Sequence, residues 1–214
     1  MKSQYHREIT VKALSPFFSQ IALEEIVRAN LRQDRPLNQV GHDYIHFDGS
    51  AFDEGFAYIR EQQENLIDRI QHGDFMAARR CFGRITHSWQ DYYSHSNYVR
   101  LWHATHPESP PEKIDPADPN IMAHKDLASG RNYGLPEFLA MIPGLDTLII
   151  PRMPADSHAK MNLDSPASGL LFAFNFQAAL KRTRLAYRNI IASFKSRGFT
   201  RSGQIDPFHG KNTK

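Results

Sequence analysis

The chain has 214 residues, 41% of them hydrophobic and 23% charged, with a formal net charge of +3. That length favours one domain with a sizeable core. The lack of an apolar run long enough to cross a bilayer excludes an integral helical membrane protein, and a single cysteine, Cys81, excludes an internal disulfide.

The N-terminus, Met1-Lys-Ser-Gln-Tyr-His, lacks the continuous apolar core of a signal peptide. The location expected is therefore cytoplasmic, with peripheral membrane contact or export by an unconventional route as the other outcomes. Ile9, Ala13 and Leu14 mark a short amphipathic helix, and Pro16 is expected to open a second over Phe17 to Leu31, where Phe18, Ile21, Ala22 and Ile26 recur at helical intervals. The pattern breaks from Arg32 to Gly49, with Pro36 and Gly41, and polar residues gather there: Asp34, His42, Asp43, His46 and Asp48. Phe52, Phe56, Ile59, Leu66 and Ile70 are spaced to bury one side of a third helix ending near His72-Gly73, after which Asp74 can cap a fourth.

The fourth helix, expected over about 75–100, carries two kinds of stripe. Ala78, Phe82, Ile85 and Trp89 form an apolar line, with Cys81 on the buried side as an inert thiol. His87, Asp91 and His95 recur every four residues, and each such step turns only about 40° past a full circuit, so the three lie on one slanted stripe that a metal ion can bridge. A helix apolar on one face and ligand-bearing on the other is expected at the centre of the fold. Residues 103–165 hold nine of the 13 prolines, with only Leu135 to Ile150 suggesting local helix, and read as a lid or substrate wall. A last long helix is expected from Ser165-Pro166, with Leu171, Phe174, Ala178, Leu185 and Ala192 as its buried line.

Residues 181–214 carry nine Lys or Arg against one acid, Asp206, a local charge of +8, and the rest of the chain sums to −5. Such asymmetry attracts phosphate-bearing partners, either phospholipid headgroups met by a basic C-terminal helix or nucleic acid. No segment has a strand-like period of any length. The fold expected is all-α, a multi-helix bundle with a long proline-rich loop: one helical domain over 1–198, then a basic tail over 199–214.

Taken in order, His6-Arg-Glu-Ile-Thr10, Asn30-x3-Asp34, His46-Phe-Asp48, His87-x3-Asp91-Tyr-Tyr-Ser-His-Ser-Asn-Tyr98 and Asp156-Ser-His158-x3-Asn162-Leu-Asp164 resemble the zinc-dependent phospholipase C superfamily, which includes the single-strand-specific nucleases, and its HET-C-like branch in particular. The resemblance implies two or three zinc ions at the end of a helical bundle. It places His46, His87 and Asp91 on one ion, His95 and His158 on a second, and His6 near a third, with Asn162 or Asp164 completing the set. It also makes Asp34 a general base, with Asp91 helping to orient the attacking water.

Two departures from the pattern stand out: His95 follows Asp91 two residues sooner than in the phospholipases, and Asn162 stands where a carboxylate is usual. The function implied is a zinc-dependent phosphoesterase acting on phospholipid or another phosphodiester. A metal-dependent single-strand nuclease is the enzymatic alternative, with aromatics such as Trp89, Tyr92 and Trp102 stacking on bases. The third reading is a non-catalytic helical module stapled by metal, which binds a membrane or a partner. Asp48 is expected to hydrogen-bond a ligating histidine without touching metal.

Overall fold

The computed structural model describes residues 1–35, 38, 41–140, 142, 144–199 and 205–211. Pro36, part of the expected break, lies outside the described residues, as do 200–204 and 212–214 of the basic tail. Six helices of eight residues or more frame the described chain: α1 (Ser3–Leu14), α2 (Gln20–Leu31), α3 (Phe52–Gln71), α4 (Phe75–His95), α5 (Tyr98–Thr105) and α6 (Leu171–Ser196). Among the described residues there are only two isolated β-bridges and no strand, so the molecule is the expected all-α multi-helix bundle. Among the described residues no helix is long and apolar enough to cross a membrane.

Local chemistry sets the boundaries. α2 begins three residues later than Pro16 suggested, because Ser19 adopts an extended backbone and its Oγ accepts the Ala22 N–H at 3.3 Å, a side-chain cap that a proline start cannot supply. Between α3 and α4 the chain turns through Gly73 and restarts on Asp74, whose Oδ1 accepts the Ala77 N–H at 3.0 Å. The long fourth helix ends at His95 instead of running to residue 100. Ser96 is extended, its hydroxyl bonds back to the Tyr92 carbonyl, and the same oxygen accepts the Tyr98 N–H that starts α5. A serine that offers the backbone this alternative competes with the helical ladder.

α4 is the centre of the bundle and packs against α1, α2, α3 and α6. Ala78, Phe82, Ile85 and Trp89 are buried, and from Ile85 to His95 every residue of the helix is buried, polar ones included. Gly83 permits the close crossing with α2: a Cβ there would lie 2.7 Å from Ala29 Cβ and nearer still to the Ile26 carbonyl oxygen.

The proline-rich connection forms single turns such as Pro119–Met122 and His158–Met161 and is tied to the end of α4. Gly130 N–H donates to the His95 carbonyl at 3.0 Å, and Leu163 N–H to that of Ser94 at 2.8 Å. Part of the basic C-terminal charge serves the same connection, since Lys181 Nζ donates to the Ile114 carbonyl at 2.8 Å. Farther on, the chain returns to the bundle at Ile205–Lys211. Phe208 is fully buried, and Arg79, ion-paired to Glu25 at 2.6 Å, donates to the Pro207 carbonyl at 3.0 Å.

Candidate metal centre

The buried polar face of α4 meets the start of α1, the turn Asp43–His46 and the loop around His158. Asp91 lies at the middle, fully buried. Its Oδ2 is 2.9 Å from His46 Nδ1 and 2.9 Å from His87 Nε2, and those two nitrogens are 3.2 Å apart. Asp34 Oδ1 is 3.7 Å from His87 Nε2. The other oxygen, Oδ1, faces His6 Nε2 at 3.1 Å, His95 Nε2 at 3.7 Å and the Met1 amino group at 2.9 Å. That amino group also lies 3.0 Å from Asp164 Oδ1 and 3.1 Å from His95 Nε2. Asp48 Oδ1 joins a neighbouring group, 3.1 Å from His95 Nδ1 and 2.9 Å from His158 Nδ1.

The sequence positions Asp48 and His46 by an unusual backbone. Phe47 between them sits in the left-handed region (φ 58°) with its ring fully buried against Phe52, Phe56, Trp89 and Tyr92. A bulky residue held there carries on the order of 1–3 kcal/mol of strain, offset by the ring's burial. The sharp turn sends His46 to Asp91 and Asp48 to His95 and His158.

Hydrogen bonding fixes where the histidine protons lie. Thr183 Oγ1 donates to the Ala179 carbonyl at 2.8 Å and therefore accepts from Gln90 Nε2 at 3.2 Å, which leaves Gln90 Oε1 toward His6 Nδ1 at 2.6 Å. His6 must donate from Nδ1, so in the neutral ring Nε2 carries a lone pair. It faces the Asp91 carboxylate without a hydrogen bond. His46 is arranged alike: Nε2 lies 3.2 Å from the Asn38 carbonyl and is the donor, so in the neutral ring the lone pair on Nδ1 points at Asp91. Anchoring one ring nitrogen while the other offers a lone pair is how proteins orient metal-ligating histidines.

Charge balance follows from burial. Burial raises the carboxyl of Asp91, but the Met1 ammonium, His87 and His95 overcome this and hold it well below the usual carboxylate range. His95 is driven well above its ordinary value because Asp91 and Asp48 outweigh its own desolvation. His87 goes the other way: burial dominates and lowers it to about 4. Desolvation opposes the charge on the Met1 amino group, yet Asp164, Asp91 and Asp34 raise it to about 11. For Asp48 and Asp164 burial likewise opposes ionisation, and the facing cations keep both ionised far into acid.

Of the residues singled out in the sequence, His6, Asp34, His46, His87, Asp91, His95 and Asp164 surround one space, and His158 joins it through Asp48. Asn162 is at the end of the His158–Met161 turn, where its N–H donates to the His158 carbonyl and its side chain bonds to none of the described residues, whereas Asp164 reaches the cluster. Asp48, expected to stand behind a histidine, has one oxygen within hydrogen-bonding distance of two of them, 3.1 Å from His95 and 2.9 Å from His158. Sequence reasoning missed the buried supports Gln90 and Thr183 and gave no role to Thr10, whose Oγ1 accepts from Gln90 Nε2 at 3.0 Å. The signal was Gln90 itself, a polar residue one turn from His87 on a helix read as central.

Fold and site together define an all-α protein with a buried histidine–carboxylate centre around one helix. Residues 4–121 match the family model of the VWA7 N-terminal domain, more than half of the chain, and the chain belongs to that family. It is similar to von Willebrand factor A domain-containing protein 7 of Homo sapiens, 29% identical over 119 residues that make up 52% of this chain and 13% of the relative. The protein of the same name in Rattus norvegicus is 33% identical over 81 residues, 37% of this chain and 9% of the relative. The matches thus span only a small part of these relatives. No solved structure matches the chain.

This membership corrects the expectations built on resemblance. The chain is grouped with the VWA7 N-terminal domain, not with the zinc-dependent phospholipases C, the nucleases or the HET-C-like branch, and the predicted phosphoesterase, hydrolase and phosphodiesterase activity falls with that grouping. The general-base role given to Asp34 and the water-orienting role given to Asp91 rested on the hydrolase reading and lose their basis with it. An ordered set of His and Asp residues reports a ligand-like cluster; it does not report what chemistry, if any, the cluster performs.

Proposed function

We propose that this chain is a divalent-cation-binding helical module whose ions, zinc by the chemistry of the donors, join α1, α4, the Asp43–His46 turn and the His158 loop. The observation that carries the reading is the pair of imidazole lone pairs, on His6 and His46, aimed at an ionised and fully buried carboxylate. Acceptors in such contact repel unless a cation stands between them.

The spacing supports the same reading. A tetrahedral zinc with bonds of about 2.0–2.1 Å separates its ligand atoms by about 3.3 Å. His46 Nδ1, His87 Nε2 and Asp91 Oδ2 form a triangle with sides of 2.9, 2.9 and 3.2 Å, a slightly tight face of that tetrahedron, and Asp34 is the nearest further carboxylate. Asp48, His95 and His158 form a second candidate group. Imidazole and carboxylate without thiolate suit zinc among the common divalent ions, and Cys81 is not in either group.

Elemental analysis of the purified chain, together with melting before and after chelation, tests the proposal. Two or three equivalents of zinc and a fall in melting temperature on chelation are expected. A metal-free chain whose melting is indifferent to added zinc would overturn it.

A further inference from the structure

On the outer side of the α2–α4 crossing, a cavity of about 440 Å³ is lined by Arg32, Arg35, Arg80 and Arg84, with Tyr44 and Tyr58 in its wall. None of these four guanidiniums forms an ion pair with a carboxylate among the described residues, whereas Arg7 and Arg79 elsewhere on the chain do. Arg84 donates to the Gln62 side-chain carbonyl at 3.2 Å, and Arg80 has only the Met76 sulfur at 3.4 Å. Four like charges gathered around one concavity repel each other, and the concavity concentrates their field. Tyr58 adds a neutral donor. Its oxygen accepts from Gln33 Nε2 at 2.8 Å, and burial pushes its pKa up to about 12, so the hydroxyl proton stays in place and is free to be donated.

We infer that this cavity binds an anion bearing several phosphoryl groups, held by Arg32, Arg35, Arg80 and Arg84. Guanidinium groups match phosphate oxygens two at a time, and four of them suit a chain of phosphates better than a single one. None of the clustered histidines and carboxylates lines the cavity, although Asn38, whose carbonyl accepts from His46, does. A free polyphosphate and the phosphate chain of a nucleotide share this chemistry.

Calorimetric titration of the purified chain with inorganic tripolyphosphate and with ATP, at low and at physiological ionic strength, tests the inference. Saturable binding that weakens with salt is expected for both, with a loss of about tenfold or more in the double variant Arg80→Glu, Arg84→Glu. Both residues are exposed on α4, so the variant should keep the helical circular dichroism and melting temperature of the parent; a Lys12→Glu control, distant in the fold, should bind as the parent does. Tighter binding of ATP than of tripolyphosphate, equalised by Tyr44→Ala, assigns the nucleotide, and equal binding assigns the free chain. No binding of either probe, or heat that persists unchanged in the double variant, as when the probe merely strips a metal, overturns the inference.

Discussion

His46 Nδ1 and His87 Nε2 face each other at 3.2 Å across the same oxygen of Asp91, although 41 residues separate them in the chain. Both rings are buried, so water does not relieve the contact. This pair is where the proposed cation binding is most directly tested. Asp91→Asn removes the charge shared by the whole cluster while nearly conserving its volume, and it should abolish zinc retention altogether. His158→Ala removes a partly exposed ligand of one group only. It should lower the zinc content by about one equivalent and leave the rest bound, a contrast that elemental analysis of the two variants measures.

Gly83→Ala sets two effects of opposite sign against each other. Helix propensity favours alanine by about 1 kcal/mol, but the added carbon would collide with Ala29 and the Ile26 carbonyl across the α2–α4 crossing. Overpacking of this kind costs about 1–3 kcal/mol or more. Backbone oxygen cannot rotate aside as a flexible side chain can, so net destabilisation is expected, read as a lower midpoint in urea.

Phe47→Ala should combine lost packing with lost positioning. Truncating a buried phenylalanine costs about 3–5 kcal/mol, and here the ring also anchors the turn that holds His46 and Asp48. Zinc affinity, followed with a competing chelator, is expected to fall along with stability. A variant equally destabilised at Phe194, far from the turn in sequence, should keep its affinity at temperatures where it is folded.

For the chelated, metal-free chain, the sign of the pH dependence follows from the shifts. His87 is lowered to about 4 from the ordinary 6.5, so the unfolded state binds its proton first, and the stability it contributes above pH 6.5, up to about 3 kcal/mol, is lost as pH falls toward 4. Asp48, Asp91 and Asp164 are lowered too, and their contribution is lost at still lower pH. His95 is raised, so its contribution is present below 6.5 and lost only as pH climbs through its folded value. Urea midpoints should therefore drop between pH 7 and 4, and a flat profile would contradict the burial of His87.

Cys81 should resist alkylation in the folded chain. Its thiol is buried and burial raises its pKa, leaving little thiolate at neutral pH. Labelling with iodoacetamide is expected to become rapid only in denaturant.

Much of the frame was legible because periodicity reports burial directly: Phe82, Ile85 and Trp89 mark the inner side of α4, and Asp74 and Gly73 mark its start. What escaped was decided by single side-chain contacts, local at Ser19 and Ser96 and tertiary at Phe47. The capping of α2 by Ser19, the break at Ser96 and the left-handed turn at Phe47 each hinge on one side chain finding a partner, which spacing does not encode. The same distinction applies to the site. The stripe of His87, Asp91 and His95 is a property of a single helix and could be read from it, but the lone pairs of His6 and His46 are directed by Gln90 and by the Asn38 carbonyl, through tertiary contacts. The family could not be read from the motif either, because an ordered ligand set resembles that of any protein that gathers the same side chains.

Gly130 leaves a final mark on the site. A Cβ at this residue would come within 2.6 Å of His158 Cα, so the loop bearing His158 rests directly on backbone, and backbone hydrogen bonds from His158 N–H to the Arg131 carbonyl and from Gly130 N–H to the His95 carbonyl fasten it. His6, His87 and Asp91, by contrast, are embedded in helices of the core. The cluster therefore has an inner wall that moves only when the bundle opens and an outer wall that a local loop motion can lift. Exchange of the proposed ions should be correspondingly uneven, with the one on the His158 side leaving on the timescale of a loop and the inner one at a rate set by unfolding of the protein itself.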